Sequence, residues 1–282
     1  MVSLHLLRRT RRRAYLGALL ALDRLFGKRS PMIPHMCRCD RKNASELRAS
    51  GEQFLQYFIN VCGITPHAHI LDIGCGIGRI AVPLTHYLDN YGGYEGLDII
   101  PEAISWCSRK IASKYPNFRF QLADIANQHY NPNGAIHAAE YALPYDDAAF
   151  DFVFLGSVFT HMLPQEVERY LSEITRVLNV GGSSLATYFL LTPETLDRIE
   201  RGESTLAFTN IGGGFRAISK TVPERAVAYD ESYIKGLYKR HGLVVKIPIR
   251  YGTWSYTVSD FEYQDLVLAE KAATLKSNKV HF

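Results

Sequence analysis

The chain lacks a membrane-spanning run. The apolar stretch behind its first basic residues, Ala14 to Leu22, is nine residues long, and a bilayer needs roughly 20. It also lacks paired cysteines: the five present, Cys37, Cys39, Cys62, Cys75 and Cys107, are odd in number and contain no C-x-x-C. That pattern implies no zinc or disulfide framework and suits reduced thiols. Outside the N-terminus, positive charge is in deficit as well. The whole chain carries +4, residues 1–30 alone carry +7 from eight Arg or Lys and one Asp, and the difference leaves −3 on the remainder. The body is therefore no basic nucleic-acid binder. No internal repeat is present, and 47% hydrophobic content over 282 residues suits one good core with additions rather than two equal domains.

What the chain does have is glycine concentrated at one point. Residues 68–80, Ala-His-Ile-Leu-Asp-Ile-Gly-Cys-Gly-Ile-Gly-Arg-Ile, open with the apolar run Ile70, Leu71 and Ile73. They stop at Gly74, Gly76 and Gly78 and turn apolar again at Ile80, Ala81 and Val82. This reads as a buried strand, a tight turn and a helix. Glycine at every second position lets the backbone reach φ > 0 and admits a ligand where a Cβ would collide. The dinucleotide fingerprint G-x-G-x-x-G fits Gly74 and Gly76 but demands a third glycine at position 79, which is Arg79. What fits is D-x-G-x-G-x-G, with Asp72 at the strand end, and this resembles motif I of the class I S-adenosylmethionine-dependent methyltransferases. In that family the loop holds the methionine part of the cofactor, so the resemblance implies binding by Asp72, Gly74, Cys75, Gly76 and Gly78.

A second short strand, Gly92 to Ile99, carries Asp98 at its end. In a doubly wound sheet Asp98 lies beside the glycine loop, with oxygens free to accept two ribose hydroxyl hydrogen bonds. The family uses an acidic residue there, and Ile99 joins it in the implied set; the bland alternative is a cap for the helix that Pro101 begins. Asp124 ends a third strand, Phe118 to Ala123, and resembles the residue that reaches the adenine amino group, with Ile125 covering the ring. Residues 126–140 lengthen the link to the fourth strand, Phe150 to Leu155, and look like an acceptor-side insertion whose Glu140 and Tyr141 are the alternatives to Asp124. Leu143-Pro144-Tyr145, Phe150 to Val153 and Ser157 to Leu163 resemble motif IV of the small-molecule branch, which adds Leu155 and Ser157 to the cofactor set. The nucleic-acid amino-methylating branch carries Asn or Asp before Pro-Pro-aromatic here, and this chain does not. Arg176 to Gly182 then matches the turn before strand five. The matched stretches run from about residue 44 to 190.

Helical patterns at 78–89, 101–114 and 165–178 alternate with these strands, and a fifth strand spans Ser183 to Leu190. Such alternation predicts a parallel sheet. A helix over 44–62, with Leu47, Phe54, Leu55, Phe58, Ile59 and Cys62 on one face, resembles the family's lid ahead of motif I. A helix at 231–241, a strand at 243–249 and a last strand at 264–269 complete a doubly wound, Rossmann-like α/β sheet of seven strands, mostly parallel, with the last one antiparallel as in the family. The expected organisation is a basic helix and linker at 1–43, a methyltransferase domain at 44–275 with insertions at 126–140 and 202–224, and a tail at 276–282. Phe208 to Phe215 reads as a loop that closes over an acceptor or as a mobile surface loop. Tyr251, Trp254 and Tyr256 read as ring surfaces for a flat ligand or as core.

Methyl transfer is an in-line displacement in which the sulfonium's charge disperses. The protein therefore mainly aligns the acceptor, excludes water and removes a proton where the acceptor is a hydroxyl. His161 is the base candidate, because histidine titrates near neutral pH and this one follows strand four; its other reading is to orient the loop or cap a helix. The resemblance implies an S-adenosyl-L-methionine-dependent methyltransferase acting on oxygen of a small molecule, glycan or lipid-linked precursor, without a metal site or a nucleic-acid partner. A nicotinamide-dependent oxidoreductase and a non-catalytic binding protein of this fold are the other readings.

Basic residues before a short apolar run also describe an export signal, and Arg12-Arg13 suggests a twin-arginine one. Against it, no small-x-small site follows, charge returns at Asp23 and Arg24, and export would part the enzyme from its cofactor. Tyr15, Leu19, Leu22 and Phe26 recur at helical spacing, so residues 1–30 read as a basic amphipathic helix on a membrane or a partner, or as a loosely attached helix. The expected location is cytoplasmic, with peripheral membrane contact through that helix.

Overall fold

Apolar runs buried on both faces build the centre of the chain. A computed structural model describes residues 44–255 and 262–272; the basic helix and linker at 1–43, Cys37, Cys39, Tyr256 and the tail from 276 lie outside them. Helix α1 (Ala44–Tyr57) continues through a wider turn (Phe58–Cys62) that Gly63 ends in the left-handed conformation. Strand β1 (His69–Ile73), the single turn α2 (Ala81–Leu84), β2 (Gly93–Asp98), α3 (Pro101–Cys107) and β3 (Phe118–Leu122) follow. Two short strands, β4 (Ile125–Ala126) and β5 (Ile136–His137), pair in parallel at the 126–140 insertion. Then come β6 (Phe150–Leu155), α4 (Pro164–Val177), β7 (Leu178–Tyr188), β8 (Leu190–Leu191) and α5 (Pro193–Glu200). The chain goes on through β9 (Thr209–Asn210), β10 (Phe215–Ala217), β11 (Val227–Asp230), α6 (Glu231–Arg240), β12 (Leu243–Val245) and β13 (Asp265–Lys271).

Seven of these strands form one sheet in the order β12, β13, β7, β6, β1, β2, β3. Its strands are parallel except that β13 runs antiparallel to both of its neighbours, as the sequence predicts. The order reverses between β1 and β6, so their carboxyl ends flank the switch point where open α/β sheets take ligands. Alternation along each strand fills a different core on each face. Ile70, Phe152, Phe154 and Leu185 pack with Phe54 and Phe58 of the α1 segment, while Leu71, Ile73, Val153 and Leu155 pack beneath α4 with Leu171 and Ile174. Insertion 202–224 supplies β9 and β10 to a second, four-stranded sheet ordered β8, β11, β10, β9.

Several expected boundaries shift. The helix expected at 78–89 shrinks to Ala81–Leu84, where Pro83 has no N–H to offer, and isolated turns carry the chain on to Leu88. The fifth strand begins at Leu178 rather than Ser183, because Gly181 takes φ 78° and lets the ladder slip register within the strand instead of ending it. The strand expected at 243–249 stops at Val245, and pairing with β13 returns only where Arg250 bridges Leu266. Trp254 is fully buried against Phe189 and Phe208, which makes it core and not a ligand surface.

Asp265 holds this C-terminal region together. Its buried carboxylate accepts the Leu190 and Gly252 N–H groups at 2.7 and 2.8 Å and the Trp254 indole N–H at 2.8 Å. Asp265→Ala strands three buried donors, each costing about 1–3 kcal/mol. A stability loss of roughly 3 kcal/mol or more is expected in urea unfolding followed by tryptophan fluorescence. A loss below about 1 kcal/mol would show that the donors find other partners.

Candidate cofactor and acceptor site

The glycine loop hangs from the end of β2. Leu97 carbonyl accepts the N–H groups of Gly74 (2.7 Å) and Cys75 (3.1 Å), and Asp98 Oδ2 accepts that of Gly76 at 2.7 Å. Gly74 has φ 79°, and a Cβ there would sit 2.4 Å from Val158 Cγ2. Gly76 has φ 53°, yet a Cβ there would meet nothing within 4 Å. Its main chain therefore faces open space, which is the cradle that close backbone contact with a ligand requires. Gly78 instead lets the loop pack on Ile111 and Cys107 of the α3 segment.

Asp98 Oδ1 accepts the Ile100 N–H at 2.8 Å, so each carboxylate oxygen holds one backbone donor. A carboxylate has about four lone-pair positions, which leaves acceptor capacity for two hydroxyls. Ile99 is partly buried beside it. Asp72 lies deeper, buried behind the loop, where it accepts the Tyr94 hydroxyl at 2.6 Å. Burial pushes its carboxyl up to about 7, with the Tyr94 hydrogen bond and the Arg79 charge opposing and the Asp98 charge adding to the shift. Burial also raises Asp98, while the Gly76 and Ile100 N–H groups pull it down. Cys75 is buried, and burial raises its thiol well above the ordinary value.

The other expected cofactor residues spread along the same edge. Leu155 is fully buried under the sheet, so its side chain is core and only its backbone borders the switch point. Ser157 stands exposed with φ 60°; its N–H donates to Thr187 Oγ1 at 2.7 Å and its hydroxyl to Gln264 Oε1 at 2.9 Å. A non-glycine residue held in that conformation costs of order 1–3 kcal/mol and marks functional turns. Asp124 is exposed past β3, and Ile125 is buried in the core below it.

His161 closes a turn after β6 that spans Phe159–His161. Nδ1 lies 2.9 Å from the Glu224 carbonyl oxygen, and Nε2 lies 3.4 Å from the Tyr130 hydroxyl. Both insertions converge on it. Asn127 Nδ2 donates to the His161 carbonyl at 2.9 Å, and the buried Glu224 carboxylate accepts the Gln128 N–H at 3.0 Å.

Sequence reasoning used Arg79 only to set aside the nicotinamide pattern. In the structure its Nη1 donates to Ser50 Oγ of α1 at 2.9 Å, its guanidinium lies 4.9 Å from the Phe54 ring centroid, and Nη2 comes within 3.1 Å of where a Cβ on Gly156 would be. It is a cation spanning the loops after β1 and β6, suited to a carboxylate. Gln264, Thr187, Tyr130 and Glu224 were also missed, since only the tertiary fold brings them to the edge. The residues present fit the methyl donor: a backbone cradle at Gly76, hydroxyl acceptors at Asp98 and a guanidinium for its carboxylate.

Residues 71–186 match the sequence model of a family described as "Methyltransferase domain". This stretch therefore has the sequence of a methyltransferase domain. The methyltransferase domain is 27% identical over 132 residues to a probable cobalt-precorrin-6B C(15)-methyltransferase of Thermoplasma acidophilum, a match covering 45% of this chain and 56% of that protein, so it spans little more than half of the relative's length. In fold it resembles a SAM-dependent methyltransferase from Aquifex aeolicus (17% identity, TM-score 0.51, 87% of this chain and 100% of that one). It also resembles magnesium protoporphyrin IX methyltransferase from Synechocystis, solved with bound SAH (15% identity, TM-score 0.52, 82% and 89%). No helix among the described residues is long and apolar enough to cross a membrane.

Two measurements test this half of the site. Asp98→Ala is expected to weaken donor binding by about 1.5–3 kcal/mol, the cost of lost hydrogen bonds to a charged acceptor, and to loosen the Gly76 turn that it holds; unchanged binding in calorimetry would remove the assignment. The raised carboxyls add a pH dependence. In the free protein Asp72 ionises near 7 but near 4 when unfolded, so this group lowers stability as pH rises from about 4 to 7. A cationic ligand favours the ionised forms, so donor affinity should rise from pH 5 to about 7 and level off above that, with proton release on binding. An affinity flat over that range would contradict the electrostatic assignment.

Proposed function

We propose that the protein transfers a methyl group from S-adenosylmethionine to a hydroxyl oxygen of a small-molecule, glycan or lipid-linked acceptor, with His161 as general base. The observation that carries this reading is the 2.9 Å contact between His161 Nδ1 and the Glu224 carbonyl. A carbonyl oxygen only accepts, so Nδ1 carries the hydrogen and the neutral ring keeps its lone pair on Nε2. That tautomer leaves Nε2 as the nitrogen able to accept a proton. Once bound, the donor supplies an electrophilic methyl group on a positively charged sulfur. The chain's own part is to hold the acceptor near Ser157, Thr187 and Gln264, keep water out and accept one proton.

The acceptor's identity is not carried by the relatives. By name, the Thermoplasma protein acts on a cobalt-precorrin and the Synechocystis one on magnesium protoporphyrin IX, so tetrapyrrole precursors belong in a first screen of cell extracts with radiolabelled methyl donor. His161→Gln is expected to lower methyl incorporation about 10²-fold while leaving donor binding intact. A normal rate and pH profile in that variant would move the base elsewhere.

The charge of +7 on residues 1–30 supports reversible attachment to an anionic membrane, since each basic residue near the surface contributes up to about 1 kcal/mol. Full-length protein should co-sediment with anionic liposomes at low salt and protein starting near residue 40 should not. Equal partitioning would rule the attachment out.

A further inference from the structure

We propose that Tyr130 is a second catalytic residue of this site, a phenol that receives the acceptor's proton while passing its own to His161. The inference rests on the methyltransferase reading above and adds to it the group that meets the acceptor. With the Nδ1 hydrogen committed to the Glu224 carbonyl, His161 Nε2 is the acceptor nitrogen, and the Tyr130 hydroxyl lies 3.4 Å from it. A phenol facing a lone pair donates. The base is therefore capped by a phenol, and Tyr130 is 37% exposed.

Two further rings and a carbonyl stand beside His161. The His129 ring lies nearly parallel to it at 6.1 Å, the Tyr130 ring stands edge-on at 5.0 Å, and Glu224 covers Nδ1. The phenol is also held in place by the insertion that carries it. Its N–H donates to Asn127 Oδ1 at 2.9 Å, Asn127 Nδ2 donates to the His161 carbonyl at 2.9 Å, and the adjacent Gln128 N–H donates to the buried Glu224 carboxylate at 3.0 Å. Three segments far apart in sequence thus share one small framework whose effect is to set a phenol on an imidazole. A 3.4 Å contact is long for a hydrogen bond, and catalytic contacts commonly tighten only when substrate is present.

The step balances. The acceptor oxygen forms its bond to the methyl carbon, the carbon–sulfur bond breaks with its electron pair left on sulfur, and the acceptor's proton moves to Tyr130 Oη as the phenol's proton moves to His161 Nε2. The phenol ends unchanged and the imidazolium keeps Nδ1–H on the Glu224 carbonyl. The proton then leaves to solvent.

The deciding experiment needs no acceptor. In full-length protein labelled with ¹⁵N-histidine, NMR at pH 8 should show His161 neutral with Nδ1 protonated, and Tyr130→Phe should shift the Nε2 resonance. Protonation on Nε2 instead, or an Nε2 resonance indifferent to Tyr130→Phe, overturns the relay whatever the protein's activity. With extract as acceptor source and radiolabelled donor, Tyr130→Phe should slow incorporation about 10²-fold with donor affinity unchanged. The Tyr130→Phe, His161→Gln double variant should be little worse than either single one, as expected of groups that act as a unit. A Tyr130→Phe protein as fast as wild type would make the phenol a mere cover and sink the proposal. Absence of donor binding in the wild type would instead count against the methyltransferase reading, which the tautomer result does not depend on.

Discussion

Asp98 receives two backbone N–H groups on one buried carboxylate, Gly76 from the loop after β1 and Ile100 from the approach to α3. The loop after β1 and the chain leaving β2 are thereby fastened together at the end of β2, on the β1 side of the switch point. Desolvation disfavours the charged form, and the two backbone donors oppose it. Because Gly74 and Cys75 also donate to the neighbouring Leu97 carbonyl, the loop cannot drift from the sheet without losing several hydrogen bonds at once. The open face at Gly76 exists only while that loop stays in place. Everything assigned to the donor depends on this clamp.

The proposed acceptor half is built differently. No strand end supplies it whole; it is assembled where two insertions meet the turn after β6. Glu224 is the joint, since its carbonyl orients His161 and its carboxylate fixes the 127–130 segment. The second carboxylate oxygen is buried without a partner, and the nearby Glu166 is raised first by burial and then, among other charges, by Glu224. Two buried acids at one joint make this region electrostatically costly to assemble. The two faces of the sheet, by contrast, are packed mainly by apolar side chains.

The donor half was legible in the sequence because its determinants are local. A strand that ends in three alternating glycines, and a second strand that ends in an acid, state their own geometry within a few residues. The seven-stranded, mostly parallel sheet and its antiparallel last strand came with the family resemblance, and periodicity located most helices. Boundaries failed where one residue overrode the pattern, as Pro83 did for the helix at 78–89 and Gly181 for the start of β7. The acceptor half was not legible for a physical reason: its contacts join residues 63 apart at His161 and Glu224 and 107 apart at Ser157 and Gln264. His161 could be singled out by its place after strand four, but nothing in the linear order tells which ring nitrogen holds the proton. For Trp254 the sequence left a ligand surface and core both open, and the fold uses it as core.

The claim on which the rest stands is that the loop at Gly74 to Gly78 is made for a methyl donor and not for a nicotinamide dinucleotide. Isothermal titration of the full-length protein with S-adenosylmethionine and, separately, with NADH tests it most directly. The account predicts saturable one-to-one binding of S-adenosylmethionine and no heat from NADH. Saturable NADH binding with no response to S-adenosylmethionine would contradict it.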